Sequence, residues 1–207
     1  MSPWGARLEV ILASSSAHKL AEYQAIFAGS PVILRPAPNS TRDLAIEESG
    51  ATYRENARVK AQGYARALGR WALADDSGLE VDALGGQPGV RSHRFAGPSA
   101  GDVHRNQHLL GLLAGVPAAR RTARYRCVVA VARPDGVVAF ETEATCEGVI
   151  AILPRGAQGF GYDPLFEFAG STRTMAELTP AEKNSLSHRG KAGLAARRFL
   201  EAFPTDR

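Results

Sequence analysis

Strand-like and helix-like apolar patterns alternate along the first half of this chain. The apolar run Leu8–Ala13 predicts a strand that ends in a serine-rich loop, and helical spacing of apolar residues then continues to Phe27. Thr52–Leu68 carries its apolar residues on one side, which predicts an amphipathic helix. Trp71–Ala74 predicts a short strand, and Leu79–Ala83 predicts another after an acidic turn. Such alternation is typical of α/β proteins.

Two long strands follow in the second half of the chain. Val103–Leu113 predicts a helix before them. Tyr125–Ala132 and Val137–Ile150 are separated by the turn residues Pro134-Asp135-Gly136, so we expect an antiparallel hairpin. Parallel crossovers followed by a hairpin predict an α/β fold with a mixed twisted sheet flanked by helices.

The C-terminal part reads as two consecutive helices. Thr179-Pro180-Ala181-Glu182 has the pattern of a capping box, and Ser187 is positioned to cap a second helix that runs to about Phe203. The sequence contains no long linker, and a domain typically has about 100–200 residues. The length of 207 residues therefore predicts a single two-lobed domain, 1–207.

Composition excludes several classes of protein. Apolar residues make up 44% and charged residues 22%, which excludes a disordered or fibrous chain. The apolar runs are shorter than the roughly 18 residues that cross a bilayer, and no signal segment is evident. Cys127 and Cys146 lie in apolar stretches without zinc-site neighbours and are expected to be buried thiols. We therefore expect a soluble cytoplasmic protein without membrane partners.

The distribution of basic residues is more informative than the net charge of +4. No block of like charge occurs and only 7% of residues are aromatic, so the sequence does not indicate a nucleic-acid-binding protein. The chain has 21 arginines but only four lysines, Lys19, Lys60, Lys183 and Lys191. Lysine is retained where a compact point charge is useful, for example at phosphate oxygens.

A candidate phosphate site follows the first strand. Backbone N–H groups at a helix start, hydroxyl groups and a lysine ammonium together suit phosphate oxygens. The segment consists of Ser14, Ser15, Ser16, Ala17, His18 and Lys19. The alternative is an ordinary serine-capped helix with a solvated lysine. The chain contains no Walker A pattern.

An acidic motif, Asp75-Asp76-Ser77-Gly78, follows the strand Trp71–Ala74, and Glu47 and Glu48 precede it in the chain. Carboxylates at the carboxyl end of a strand, beside a phosphate site, suit Mg²⁺. The alternative is an Asp-rich turn with no ligand.

Two further motifs are candidates for binding a base. Glycines on both sides of Phe160, in Gly159–Pro164, leave space for a planar group to stack on the ring. The alternative is a loop that closes a small hydrophobic cluster. The side chains of Lys183–Gly190 can donate hydrogen bonds to phosphate or to keto oxygens, or can decorate a solvated helix junction.

Together these motifs resemble the inosine triphosphate pyrophosphatase family, which hydrolyses non-standard purine nucleoside triphosphates to the monophosphate and pyrophosphate. The resemblance covers almost the whole chain in order. The matching segments are Glu47–Gly50, Glu55–Ala57 with Lys60, Ala74–Leu79, Asp82–Gly86, Pro88–Val90 with Arg94, Gly159–Pro164, Glu182–Asn184 and Ser187–Gly190.

The resemblance implies a role for each motif. Asp76 would be the catalytic base and a Mg²⁺ ligand, and Glu47 or Glu48 would supply another metal carboxylate. The phosphate loop would be Ser14–Lys19, and Phe160 would stack on the base. The remaining substrate contacts implied are Lys60, Ser77, Gly161, Tyr162, Asp163, Lys183, His188 and Arg189. The family is usually dimeric, so the resemblance also implies a homodimer.

One segment departs from the family pattern. The family's first loop usually reads Thr-Gly-Asn, whereas this chain has Ser14-Ser15-Ser16. Serine lacks the amide of asparagine, and a serine-rich loop is also found in the related Maf-like nucleotide pyrophosphatases. Two alternatives therefore stay open, a non-catalytic nucleotide sensor on the same fold and a Maf-like pyrophosphatase with a different base preference.

Overall fold

The computed structural model describes residues 8–38, 41, 44, 46 and 49–203. The strands in these residues are β1 (Glu9–Leu12), β2 (Ile33–Pro36), β3 (Trp71–Val81), β4 (Thr122–Ala132), β5 (Val138–Ile150) and β6 (Phe166–Phe168). The α-helices are α1 (Ala17–Ile26), α2 (Tyr53–Leu68), α3 (Asp102–Leu112), α4 (Pro180–Leu186) and α5 (His188–Glu201). Short 3₁₀ helices lie at Asp82–Leu84, Gly89–Arg94, Ala118–Arg120 and Met175–Glu177.

The described strands form one sheet in the order β2-β1-β3-β4-β5-β6. Strand β1 is parallel to both of its neighbours, with Leu12 opposite Pro36 of β2 and Leu73 of β3. Strand β6 is antiparallel to β5, with Glu167 opposite Val149. The sheet therefore contains both orientations, which confirms the predicted α/β fold with a mixed sheet.

Strands β4 and β5 are the predicted hairpin. They are neighbours in the sheet, and the N–H of Arg133 donates to the carbonyl oxygen of Val137 at 2.9 Å across the turn. Gly136 has a φ of 81°, a backbone conformation that glycine adopts without strain. The turn residues of the sequence thus determine where the chain reverses.

Strand β3 corrects the prediction for the acidic motif. The strand does not end at Ala74, and Asp75–Gly78 is not a turn, because β3 continues to Val81. Residues Trp71–Leu73 of β3 pair with β1, and β4 is the neighbour of β3 on its other side. Pairing satisfies backbone N–H and C=O groups that a turn would leave open, so tertiary context outweighs the local turn preference of aspartate, serine and glycine.

The chain divides into two compact units. Unit 1 contains residues 1–76, 127–143 and 190–207, and unit 2 contains residues 77–126 and 144–189. The boundary in β3 falls between Asp76 and Ser77, so this strand contributes to both units. Among the helices of the described ranges, none has the length and apolar character of a membrane span.

Each unit has its own buried apolar side chains. In unit 1, Leu12 of β1 and Tyr23 of α1 have no solvent exposure. In unit 2, Leu109 of α3 belongs to a cluster with residues of β3, β4, β5 and β6. Cys127 and Cys146 are buried thiols that form no disulfide, as predicted.

Candidate active site

The segment Ser14–Lys19 lies where β1 gives way to α1, as predicted. Ser16 is the N-cap of α1, and its Oγ accepts a hydrogen bond from the N–H of Lys19 at 3.3 Å. The N–H of Ser16 donates to Oγ of Ser14 at 3.2 Å. The exposed members of the segment are Ser15, Ala17 and His18. The N–H groups of a helix's first turn have no acceptor within the helix, so this junction is suited to bind an anion.

Lys19 is held by Asp75, the first residue of the predicted acidic motif. The Nζ of Lys19 lies 3.0 Å from Oδ1 of Asp75 and donates to its carbonyl oxygen at 3.4 Å. Asp75 is 1% exposed, and its Oδ2 accepts from the Cys127 thiol at 3.8 Å. A buried carboxylate is costly without an opposite charge, and Lys19 supplies it. Lys19 is therefore not the solvated lysine of the alternative interpretation.

Lys60 of α2 contacts both aspartates of the motif. Its Nζ donates to the carbonyl oxygen of Asp75 at 2.9 Å and lies 3.7 Å from Oδ1 of Asp76. Lys60 is 8% exposed. Unit 1 therefore places two ammonium groups within reach of one acidic motif. We call Lys19, Lys60, Asp75 and Asp76 the lysine–aspartate cluster.

Asp76 is the more accessible of the two aspartates. Its side chain is 13% exposed, and its Oδ2 accepts a hydrogen bond from Nδ2 of Asn56 at 3.0 Å. Burial raises the pKa of Asp76 above its ordinary value, although Lys60 and Asn56 act in the opposite direction. A carboxylate with a raised pKa accepts a proton more readily, which suits a general base.

The Asp76 carboxylate offers an oxygen ligand to a hard cation. Mg²⁺ is bound through one or two carboxylates together with phosphate oxygens and water, and the Asp76 carboxylate can supply one such ligand. Within the ranges that the structure describes, no three His, Cys, Asp or Glu side chains form a metal-binding group. The other predicted metal ligands, Glu47 and Glu48, lie outside the described residues. Their metal role stays a prediction.

The glycine-rich loop of unit 2 lies between β5 and β6. The N–H of Phe160 donates to Oδ2 of Asp163 at 2.9 Å, and the N–H of Asp163 donates back to the Phe160 carbonyl oxygen at 3.3 Å. A Cβ on Gly159 would lie 2.1 Å from Oδ2 of Asp163, so this position requires glycine. The Phe160 side chain is half-buried.

Asp163 is the acceptor at the centre of several unit 2 contacts. Its Oδ2 also accepts from Nζ of Lys183 at 2.5 Å, and its Oδ1 accepts from the Tyr125 hydroxyl at 3.3 Å. Lys183 is 6% exposed, which excludes the solvated junction of the alternative interpretation. Its Nζ lies 4.8 Å from the centroid of the Phe160 ring, within the range of a cation–π interaction.

His188 and Arg189 are the first two residues of α5. Arg189 donates from Nη2 to Oγ of Ser77 at 2.8 Å, and its Cζ lies 5.4 Å from the Phe160 centroid. The His188 ring stacks on Tyr125 at a centroid distance of 4.6 Å and an interplanar angle of 11°. Unit 2 therefore brings together side chains that the sequence predicted separately. We call Ser77, Phe160, Asp163, Lys183, His188 and Arg189 the Phe160 group.

Tyr162 differs from the other predicted substrate residues. Its side chain is buried in the apolar cluster of unit 2, and its hydroxyl donates to the carbonyl oxygen of Ser92 at 2.9 Å. Burial raises the pKa of this hydroxyl above its ordinary value. In this structure the phenol ring is part of the core, and the substrate contact implied for Tyr162 stays a prediction.

Sequence reasoning missed polar residues that contact the predicted ones, namely Asn56, Asp102 and Asn106. A signal was present for Asn56, because it lies one helical turn before Lys60 on the side of α2 that also buries Tyr53 and Ala57. Polar residues on the apolar side of a helix indicate specific partners.

Comparison with known proteins extends this description. The Ham1 family model matches residues 10–199. The "dITP/XTP pyrophosphatase" of Geobacillus kaustophilus (strain HTA426) is 48% identical, over 89% of this chain and 90% of the relative. The protein of the same name from Anaeromyxobacter sp. (strain Fw109-5) is 43% identical, over 96% of this chain and 99% of the relative.

Solved structures give the same result for the fold. A HAM1 protein from Coxiella burnetii matches with a TM-score of 0.83 and 42% identity, covering 93% of this chain and 98% of that one. The Ham1 protein of Staphylococcus aureus matches with a TM-score of 0.81 and 36% identity, with the same coverage. The similarity extends over nearly the whole chain and includes residues of both units.

Proposed function

The chain belongs to the Ham1 family, and on that premise we propose that it hydrolyses non-standard purine nucleoside triphosphates to the monophosphate and pyrophosphate. The substrates proposed are ITP, dITP, XTP and dXTP. Relatives that cover most of this chain carry the name dITP/XTP pyrophosphatase, which supports this substrate class. The observation that carries the assignment is the Phe160 group, in which Lys183 and Arg189 lie around one half-buried aromatic ring.

In the proposed reaction a water oxygen attacks the α-phosphorus. The bond from the α-phosphorus to the oxygen that bridges to the β-phosphate breaks, and pyrophosphate leaves. Asp76 accepts a proton from the attacking water and so acts as the general base. One water is consumed for each substrate, and no covalent enzyme intermediate is required.

The lysine–aspartate cluster would bind the triphosphate. Lys19 and Lys60 carry positive charge at the acidic motif. Their ammonium groups would stabilise the negative charge that develops on the departing pyrophosphate. The start of α1 adds backbone N–H groups for phosphate oxygens. Asp75 holds Lys19 by an ion pair, so this lysine is oriented before the substrate arrives.

We propose Mg²⁺ as the cofactor, with Asp76 as one ligand and Glu47 or Glu48 as another. The Asp76 carboxylate is partly exposed and offers oxygen ligands, which are the ligands that Mg²⁺ prefers. When bound, the ion would reduce the negative charge of the triphosphate and favour attack at phosphorus.

The Phe160 group would select the base. Hypoxanthine and xanthine carry a keto oxygen at purine position 6, where adenine carries an amino group that donates hydrogen bonds. Donors from His188 and Arg189 would match the keto oxygen and would face another donor in adenine. The Phe160 ring would stack on the base plane.

The decisive assay supplies ITP, dITP, XTP or ATP with Mg²⁺ and measures the phosphorus product. Phosphate should appear only after inorganic pyrophosphatase is added, and ATP should react far more slowly than the other three. Stepwise release of orthophosphate would refute the proposal. Binding of ITP without turnover would instead indicate a nucleotide sensor, and turnover with another base preference would indicate a Maf-like activity.

We also propose that the protein is a cytoplasmic homodimer whose partners are small purine nucleotides and neither nucleic acid nor membranes. The dimer is carried over from the family resemblance. Light scattering of the purified protein measures its mass directly. A mass close to that of one 22.0 kDa chain would contradict the dimer.

A further inference from the structure

Helix α3 binds the loop of Phe160 at the backbone of Gly161. The Oδ2 of Asp102 accepts a hydrogen bond from the N–H of Gly161 at 2.6 Å, and the Nδ2 of Asn106 donates to the Gly161 carbonyl oxygen at 3.1 Å. Asp102 and Asn106 are one helical turn apart and therefore lie on the same face of α3. Two side chains of α3 thus bind both the N–H and the C=O group of Gly161.

The backbone N–H and C=O groups of both Phe160 and Gly161 are consequently hydrogen-bonded. The N–H and C=O of Phe160 bind the side chain and the N–H of Asp163, and those of Gly161 bind Asp102 and Asn106. Gly161 has a φ of 66°, in the left-handed region that a glycine adopts readily. The contacts from Asp163 and from helix α3 therefore fix the backbone at Phe160, and with it the direction of the Cα–Cβ bond that carries the aromatic ring.

Asp102 is held in turn by Arg105. The guanidinium of Arg105 donates to Oδ1 of Asp102 and, at 2.9 Å, to the carbonyl oxygen of His93, and Arg105 is buried. The carboxylate that receives the Gly161 N–H is thus oriented by an arginine that is itself bonded to the backbone.

Asn106 is 8% exposed, and its Oδ1 has no hydrogen-bond partner among the described residues. A buried amide oxygen without a partner is unfavourable, and an apolar side chain at this position would avoid that cost. The favourable contact that the Asn106 amide makes is the hydrogen bond from its Nδ2 to the Gly161 carbonyl oxygen.

We infer that Asp102 and Asn106 are positioning residues, which act on base binding through the orientation of Phe160. The inference rests on the proposed function, because it assigns the Phe160 ring to the base. Neither residue would contact the triphosphate. Their loss should weaken the binding of the nucleotide through its base and leave the chemical step and pyrophosphate binding unchanged.

The test uses Asn106→Leu, which removes the donor without adding charge, and Asp102→Ala as a second variant. Gln107→Leu is the matched control, because Gln107 is the adjacent, exposed amide of the same helix. Asn106→Leu should raise KM for ITP about tenfold, the effect of about 1.4 kcal/mol, with kcat and the pyrophosphate inhibition constant changed less than about twofold. Exchange of the Gly161 amide hydrogen should accelerate in Asp102→Ala.

A double variant separates positioning from general destabilisation. Once Phe160→Ala has removed the ring, Asn106→Leu should raise KM hardly further, because the two changes act on the same interaction. An unchanged KM in Asn106→Leu, or a full additive increase in the double variant, would overturn the inference.

Failure of the proposed function is recognised in the unmodified protein. If that protein binds ITP without hydrolysing it, the variants are compared by their dissociation constants for ITP in place of KM. The positioning role is then tested independently of hydrolysis. If it does not bind ITP, both proposals are wrong.

Discussion

Replacing Phe160 by alanine tests the base-binding half of the proposed function. Stacking of a base on an aromatic ring contributes about 1–3 kcal/mol. Because each 1.4 kcal/mol changes an equilibrium constant tenfold, Phe160→Ala should raise KM for ITP by about tenfold to a hundredfold. The ring also lies near Lys183 and Arg189, whose cations lose an aromatic face in the variant.

The effect on stability distinguishes a base-binding phenylalanine from a core phenylalanine. The Phe160 ring is half-buried, whereas Phe166, six residues later, is fully buried in the unit 2 core. Phe166→Ala should reduce the free energy of unfolding by about 3–5 kcal/mol, the usual cost of such a core truncation. For a chain of this size that corresponds to a melting temperature lower by about 6–20 °C. Phe160→Ala should lower it much less.

The assay is one set of measurements on both variants: melting temperature, KM for ITP and the inhibition constant of pyrophosphate. Pyrophosphate inhibition should stay the same in Phe160→Ala, because the phosphates are assigned to Lys19 and Lys60, which contact Asp75 and Asp76. A large fall in melting temperature with an unchanged KM would refute the stacking role. It would leave the phosphate and metal assignments as the only supported part of the site.

The other predictions concern the lysine–aspartate cluster and a helix cap. Asp76→Asn should lower kcat by a factor of about 10²–10⁴ in a protein with an unchanged circular dichroism spectrum, since the amide cannot accept the proton; near-normal kcat would exclude Asp76 as the base. Lys60→Met should weaken ITP and pyrophosphate binding together, about tenfold to a hundredfold for one lost charge-assisted contact, and inhibition by pyrophosphate that stays the same would contradict a phosphate role. Glu182 accepts from Thr179 and Arg173, which lower its pKa from 4.5 to about 2. The ionised form therefore stabilises the fold above pH 4.5, so Glu182→Gln should melt below the unmodified protein at pH 7, and that difference should shrink as the pH falls from about 4.5 towards 2. A difference independent of pH would show that the carboxylate charge is not its cause.

Local signals in the sequence predicted the elements whose boundaries depend on neighbouring residues. Helix α4 begins where Thr179 and Glu182 form the predicted capping box. The β4–β5 hairpin reverses at Gly136, where a positive φ is required. These interactions join residues a few positions apart, so the residue types alone are enough to identify them.

The acidic motif shows the limit of local reasoning. Asp75-Asp76-Ser77-Gly78 has the composition of a turn, yet it lies within β3, whose neighbours in the sheet are β1 and β4. Pairing partners distant in the chain decide this conformation, and no short window of sequence contains them.

For the candidate site, the sequence predicted candidate residues from their types and spacing, among them Lys19, Lys60, Lys183 and the Phe160 loop, and their roles stay predictions. The tertiary structure alone decided the partners, pairing Lys19 with Asp75 and placing Asp102 and Asn106 on Gly161. Each of these contacts joins residues more than fifty positions apart. Hydrogen bonds between residues so far apart in the chain depend on how the strands and helices pack. That packing cannot be predicted from the periodicity or the composition of the sequence.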